Sequence, residues 1–170
     1  LLETLRTTRM LDNTIVLFTS DHGDMLGERG LWFKMSFFEG SARVPLMVAG
    51  PGVTPRLVNE PVSTLDINPT LADLAGIDIG EILPWTDGES LVPLMQGGKR
   101  TTPVLMEYTA EGSQAPLVCI REGDWKFSHC ELDPPMLFNL KDDPQELTNL
   151  AADPANAALV AEWMERVRAH

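Results

Sequence analysis

The 170-residue sequence is short of cysteine, with two, and short of basic groups, with 13 Lys and Arg against 25 Asp and Glu and a formal net charge of −12. The basic shortfall argues against a nucleic-acid backbone as partner, because phosphate binding wants a basic face. It also argues against docking to anionic lipid. An acidic surface suits cationic small ligands, and it equally suits plain solubility. Cys119 and Cys130 are too few for a disulfide framework. Two free thiols are the preferred reading over a bridge between neighbouring strands. No run of about 18 apolar residues exists, which excludes a helical membrane span. Internal repeats and low-complexity tracts are absent too.

What is present suffices for one core, since 44% of the residues are hydrophobic. Leu1, Leu2 and Leu5 mark the apolar side of a helix ending near Met10. Asp12-Asn13 is a turn, and Thr14 to Thr19 reads as a buried central strand. A loop from Asp21 to Phe33 leads to a short helix around Ser36 to Ser41. Val44 to Ala49 is a second buried strand, stopped by Gly50-Pro51-Gly52. Asp66 is placed as the N-cap of a helix with Pro69 in its first turn and Gly76 at its end. Residues 77–100, rich in Gly, Pro and acids, read as loop. Thr102 to Tyr108, Leu117 to Arg121, Trp125 to Ser128 and Met136 to Asn139 read as strands of a smaller sheet, with a hairpin at Glu122-Gly123-Asp124. Asp153-Pro154 caps a last helix with the stripe Leu159, Val160, Trp163, Met164 and Val167. Glu162 and Arg166 are spaced for an i,i+4 pair worth about 0.3 kcal/mol.

The chemistry concentrates in Thr19-Ser20-Asp21-His22-Gly23-Asp24. A strand that ends at a carboxylate and an imidazole places both at its carboxyl end, where ligands bind in open α/β sheets. Asp21 and His22 can both ligate a metal, and Gly23 lets the backbone bend tightly. The same dipeptide also suits an Asp capping the next loop and a His held by hydrogen bonds. Lys34 follows amid Trp32, Phe33, Met35, Phe37 and Phe38, an apolar setting for an unpaired charge. Asp24, Glu28 and Arg29 are read as loop hydrogen bonds and solvated charge. Glu39 and Arg43 could pair across a helical turn and support the helix that presents Lys34. Trp85 is read as packing, and His129 as a surface or satisfied core histidine.

These residues carry a resemblance. The run from Asp12-Asn13-Thr14 to Asp21-His22-Gly23-Asp24-Met25-Leu26-Gly27-Glu28 resembles the second metal-binding segment of sulfatases, members of the alkaline phosphatase superfamily. Gly30 to Leu46 is similar to the choline-sulfatase branch in particular. Val62 to Leu71, Asp87-Gly88-Glu89-Ser90-Leu91, Leu137 to Leu140 and Asp143 to Leu150 match as well. The resemblance implies the C-terminal part of an alkaline-phosphatase-like three-layer α/β/α sandwich over residues 1–100. A small antiparallel sheet with a C-terminal helix is expected over 101–170. It also implies that Asp21 and His22 hold a divalent metal, calcium in first place, with manganese or zinc admitted by the nitrogen donor. Lys34 is expected to contact an oxygen of the transferring group. Glu111 is the candidate carboxylate for a quaternary ammonium, beside Glu107 and Tyr108.

Sulfatases use a formylglycine made in a Cys/Ser-x-Pro-x-Arg motif. Cys119 precedes Ile120-Arg121 and Cys130 precedes Glu131-Leu132, so neither fits, and no Ser does. The chain opens at Leu1 and is expected to be the C-terminal fragment of a larger enzyme, inactive by itself. The nucleophile and the remaining ligands are then expected upstream. In that enzyme a formylglycine hydrate attacks sulfur and expels an alcohol such as choline. The resemblance further implies a cytoplasmic homo-oligomer acting on a small sulfate ester. Two rivals remain open: a phosphonate monoester hydrolase or phosphodiesterase with the same site, and a non-catalytic assembly module.

Overall fold

The computed structural model describes the whole chain except Leu83, Glu111, His170 and the side chain of Ile82. Its helices are α1 (Leu2–Thr7), α2 (Glu39–Ala42), α3 (Ile67–Leu74), α4 (Ile79–Ile82), α5 (Val92–Met95) and α6 (Ala157–Arg168). Its strands are β1 (Val16–Thr19), β2 (Met25–Leu26), β3 (Trp32–Phe33), β4 (Leu46–Ala49), β5 (Val104–Tyr108), β6 (Leu117–Glu122), β7 (Trp125–Cys130) and β8 (Asp133–Asn139). The chain is thus mixed α/β with small antiparallel sheets and a C-terminal helix. It divides into two units, Leu1–Asp21 with Val44–Arg100, and His22–Arg43 with Thr101–His170. Among the described residues no helix is long and apolar enough to cross a membrane.

In the first unit β1 pairs antiparallel with β4, from Val16 opposite Ala49 to Thr19 opposite Leu46. The expected buried central strand is therefore, among the described residues, half of a two-stranded ribbon. Such a ribbon cannot cover both its faces, and the cross-strand neighbours Phe18 and Met47 are 54% and 58% exposed. α1 ends before Met10, because Arg9 turns left-handed at φ 61°. α3 runs to Leu74, and Gly76 follows at φ 70°, the left-handed stop that glycine allows. Asp66 precedes α3, but its carboxylate does not cap that helix. It accepts from the amides of Ser63 at 2.7 Å and Glu89 at 2.8 Å. The stretch 77–100 is not all loop either, since it carries α4 and α5.

The second unit is built on the antiparallel sheet β5-β6-β7-β8. Alternation along the strands gives the sheet two different faces. Ile120, Phe127 and Leu137 lie opposite one another on one face and meet Trp163 of α6, forming the buried core. Leu159, Val160, Met164 and Val167 pack around it, so the expected stripe of α6 is the one buried. Cys119, Lys126, Ser128 and Phe138 share the other face. Phe38 reaches Phe138 there, with ring centroids 6.2 Å apart. Arg166 does not pair with Glu162; its guanidinium meets Glu122 at 2.7 Å and lies 4.2 Å over the Trp163 ring. Asp153 does cap, accepting from the Ala155 amide in the 3-10 turn that enters α6. Both cysteines are free, as the sequence suggested.

Candidate metal and anion site

Asp21 lies just beyond β1 in the first unit, exposed, with the Ser20 hydroxyl 3.3 Å from its Oδ1. His22 opens the second unit and is half-buried. Its Nδ1 lies 2.8 Å from the carbonyl oxygen of Gly23. A carbonyl can only accept, so Nδ1 carries the proton. In the neutral imidazole the lone pair is then on Nε2, the form in which histidine ligates metals. Among the described residues no group of three or more His, Cys, Asp and Glu is gathered to hold a metal. Asp21 and His22 are two adjacent donors, fewer than the four to eight that zinc, manganese or calcium take.

Gly23 explains why the chain turns where it does. Its amide donates to the Ser41 carbonyl at 2.8 Å, and a Cβ placed on it would stand 2.2 Å from the Gly40 oxygen. Only a glycine lets the backbone after His22 approach α2 this closely. From there β2 and β3 form a two-residue-wide hairpin, Met25 opposite Phe33 and Leu26 opposite Trp32. Glu28 closes its bend: the Leu26 amide donates to Oε2 at 2.6 Å and, as the main cause, holds the carboxyl below its usual range.

Lys34 follows the hairpin. Its side chain is exposed, and its neighbours Trp32, Phe33 and Met35 are 62%, 65% and 43% exposed, so the expected apolar enclosure is not formed by them. The backbone at Lys34 is fixed instead. Its carbonyl accepts from the Ser36 amide at 2.8 Å and from the buried Ser41 hydroxyl. Arg29 is not a solvated charge: it donates to the carbonyls of Gln145 and Glu146 and lies 4.2 Å over Phe38. Glu39 is 4.0 Å from Arg43 but only 2.8 Å from Lys126. Of the other candidates, Glu107 and Trp85 are exposed, and Tyr108 ends β5 half-buried. Glu111 lies outside the described residues. Buried Ser41, Lys126 and Glu146 went unnoticed in the sequence. Alternation with Trp125 and Phe127 puts Lys126 on the opposite face of β7, which reads from sequence as the solvated one.

Residues 1–77 match the sulfatase family model. Over 154 residues the chain is 68% identical to a choline-sulfatase of Rhizobium meliloti (strain 1021), covering 91% of this chain and 30% of that protein. Among solved structures, a 2-O GAG sulfatase superposes with TM-score 0.86 at 32% identity, over 98% of this chain and 38% of that one. A phosphonate monoester hydrolase of Agrobacterium radiobacter superposes with TM-score 0.81 at 31% identity, over 99% and 37%. The fold is thus that of alkaline-phosphatase-like sulfatases. The chain spans about 30% of the length of the curated relatives it matches.

Proposed function

The chain belongs to the sulfatase family, and from that premise we propose that it forms part of an enzyme hydrolysing a sulfate ester, choline sulfate favoured, to an alcohol and inorganic sulfate. The observation that carries this reading is the 2.8 Å contact of His22 Nδ1 with Gly23 O, which leaves Nε2 as the basic nitrogen beside Asp21 in the chain. Asp21 would supply a hard oxygen and His22 a neutral nitrogen to a divalent metal, calcium favoured and manganese open. When bound, such a cation offsets the negative oxygens of the ester that repel a nucleophile. The further donors, and the formylglycine that this family uses as nucleophile, belong to the rest of a longer protein.

Lys34 has the chemistry for one other task. Its ammonium is an exposed fixed charge on a backbone held at the carbonyl. Placed at an oxygen of the transferring sulfate, it stabilises the charge that grows as the bond to the alcohol breaks. Glu111 is retained as the carboxylate facing a quaternary ammonium.

The phosphonate monoester hydrolase likeness supports a second reading, in which the same residues serve a phosphonate or phosphate ester. Rates on paired sulfate and phosphonate esters with the full-length protein separate the two. Preferential sulfate release, a loss of at least about 100-fold in Asp21→Ala, and loss of its bound metal support the sulfatase reading. Preference for the phosphonate ester selects the second reading. Unchanged metal content and rate in Asp21→Ala overturn the site. The 170-residue chain alone is expected to release no sulfate.

A further inference from the structure

A buried ionic cluster lies in the second unit, and the site residues are tied to it. Lys126 Nζ lies 2.8 Å from Glu39 Oε1 and 2.9 Å from Glu146 Oε1, with Lys126 and Glu146 3% and 2% exposed. Glu39 begins α2, whose N-cap residue Phe38 offers no side-chain cap. The vacant role is filled from far along the chain: the Glu39 amide donates to Glu146 Oε2 at 2.8 Å. The Glu146 carboxylate thus satisfies the start of the helix while the Lys126 ammonium holds its first side chain.

The remainder of α2 passes this placement on. Ser41 donates its hydroxyl to the Lys34 carbonyl, and its own carbonyl accepts from Gly23, next to His22. Backbone strain marks both ends of the path. Phe33, immediately before Lys34, stands at φ 67°, and Glu146 at φ 56°. Left-handed backbone in a bulky residue persists only where its surroundings hold it. Glu146 is held by its amide on Asp143, whose carboxylate also takes the Thr148 amide at 2.8 Å. Arg29 closes the arrangement from the other side through the carbonyls of Gln145 and Glu146.

We infer that Ser41 and Glu39, anchored by Lys126 and Glu146, are positioning residues that set the backbone at Lys34 and Gly23. This rests on the reading of Lys34 as the anion-contacting group. Neither residue touches substrate. The cluster holds a short helix by setting the buried charges of Lys126 and Glu146 against half-buried Glu39, an arrangement better suited to fixing geometry than to adding stability. A misplacement of about 1 Å in such a group is enough to cost a large part of the rate.

The test is a double-mutant cycle in the full-length protein, with kcat, KM and metal content measured on a sulfate ester. Ser41→Ala removes one hydroxyl, and Glu39→Gln keeps the shape while removing the charge. Each is expected to lower kcat about tenfold, with KM and metal content little changed. In a Lys34→Ala background, Ser41→Ala is expected to change kcat less than twofold, because the carbonyl it holds at position 34 no longer carries an ammonium to place. An equal fall in both backgrounds means a general structural role and overturns the inference. Unchanged kcat in Ser41→Ala overturns it as well. If Lys34→Ala alone leaves kcat intact, the anion-site reading fails first, and that single variant shows it.

Discussion

Asp66 and Arg100 form a buried ion pair, 2.5 Å between Oδ2 and Nη1, with side chains 0% and 6% exposed. Asp66 also receives the amides of Ser63 and Glu89, so the pair stitches the entry to α3 onto residues much later in the chain. Removing Arg100 leaves the buried Asp66 carboxylate its two amide donors but no counter-charge. Arg100→Ala is expected to lower the unfolding free energy by about 3–5 kcal/mol. The exposed pair of Arg6 and Glu3, with side chains 67% and 72% exposed, is the control. Arg6→Ala should cost less than about 1 kcal/mol. Urea unfolding of both variants checks the contrast, and equal losses would contradict it.

Trp163 supplies the second comparison. It is 3% exposed and stacks on Phe127 with centroids 6.2 Å apart. Trp163→Ala removes the largest side chain of the core and should cost about 3–5 kcal/mol. Arg166 lies 4.2 Å over the same ring and pairs with half-exposed Glu122. Arg166→Ala should cost about 1 kcal/mol or less. A reversal of this order in thermal or urea unfolding would show that α6 is held by its charges rather than its stripe.

Gly23 is the third. A methyl group there would meet the Gly40 oxygen at 2.2 Å, and that neighbour is backbone, which cannot swing away. Gly23→Ala must therefore push His22 away from α2. Activity of the full-length protein is expected to fall by about 100-fold or more. Gly30 is the control, because a Cβ there meets nothing within 4 Å, although its φ of 70° makes alanine mildly strained. If Gly30→Ala proves as damaging as Gly23→Ala, the close approach at α2 is not what fixes this loop.

Local signals gave most of the elements away. The alternation in β6 and β7, the Gly123 turn and the stripe on α6 are each written within a dozen residues. The Asp-His-Gly segment is a local signal of the same kind, a consecutive run at the end of β1. The partners of Glu39 were not, because Lys126 and Glu146 lie 87 and 107 residues away and no local pattern selects among the acids and bases of the chain. Arg29 misled in the same way: a loop arginine beside glycines reads as solvated until the carbonyls of Gln145 and Glu146 arrive from a distant turn. The grouping of 22–43 with 101–170 follows from those long-range ties. Asp66 shows a subtler failure. An Asp one residue before a helix has the composition of a cap, yet the capping box it completes belongs to the preceding 3-10 turn.

Cys119 yields a prediction with a definite sign. Its side chain is fully buried on the sheet face that carries Lys126, and burial pushes the thiol up from about 9 to about 12. The folded protein therefore holds this proton more tightly than the unfolded chain. The resulting stability is complete below pH 9 and is lost as pH climbs towards 12, by up to about 1.4 kcal/mol per pH unit. Cys119→Ala should remove that part of the slope, and the difference between the two pH–stability curves isolates it from other titrating groups. At pH 8 the peptide containing Cys119 should take up iodoacetamide only after unfolding, as read by mass spectrometry. Rapid labelling of native protein, or parallel curves for wild type and variant, would mean that this face of the sheet is open to water.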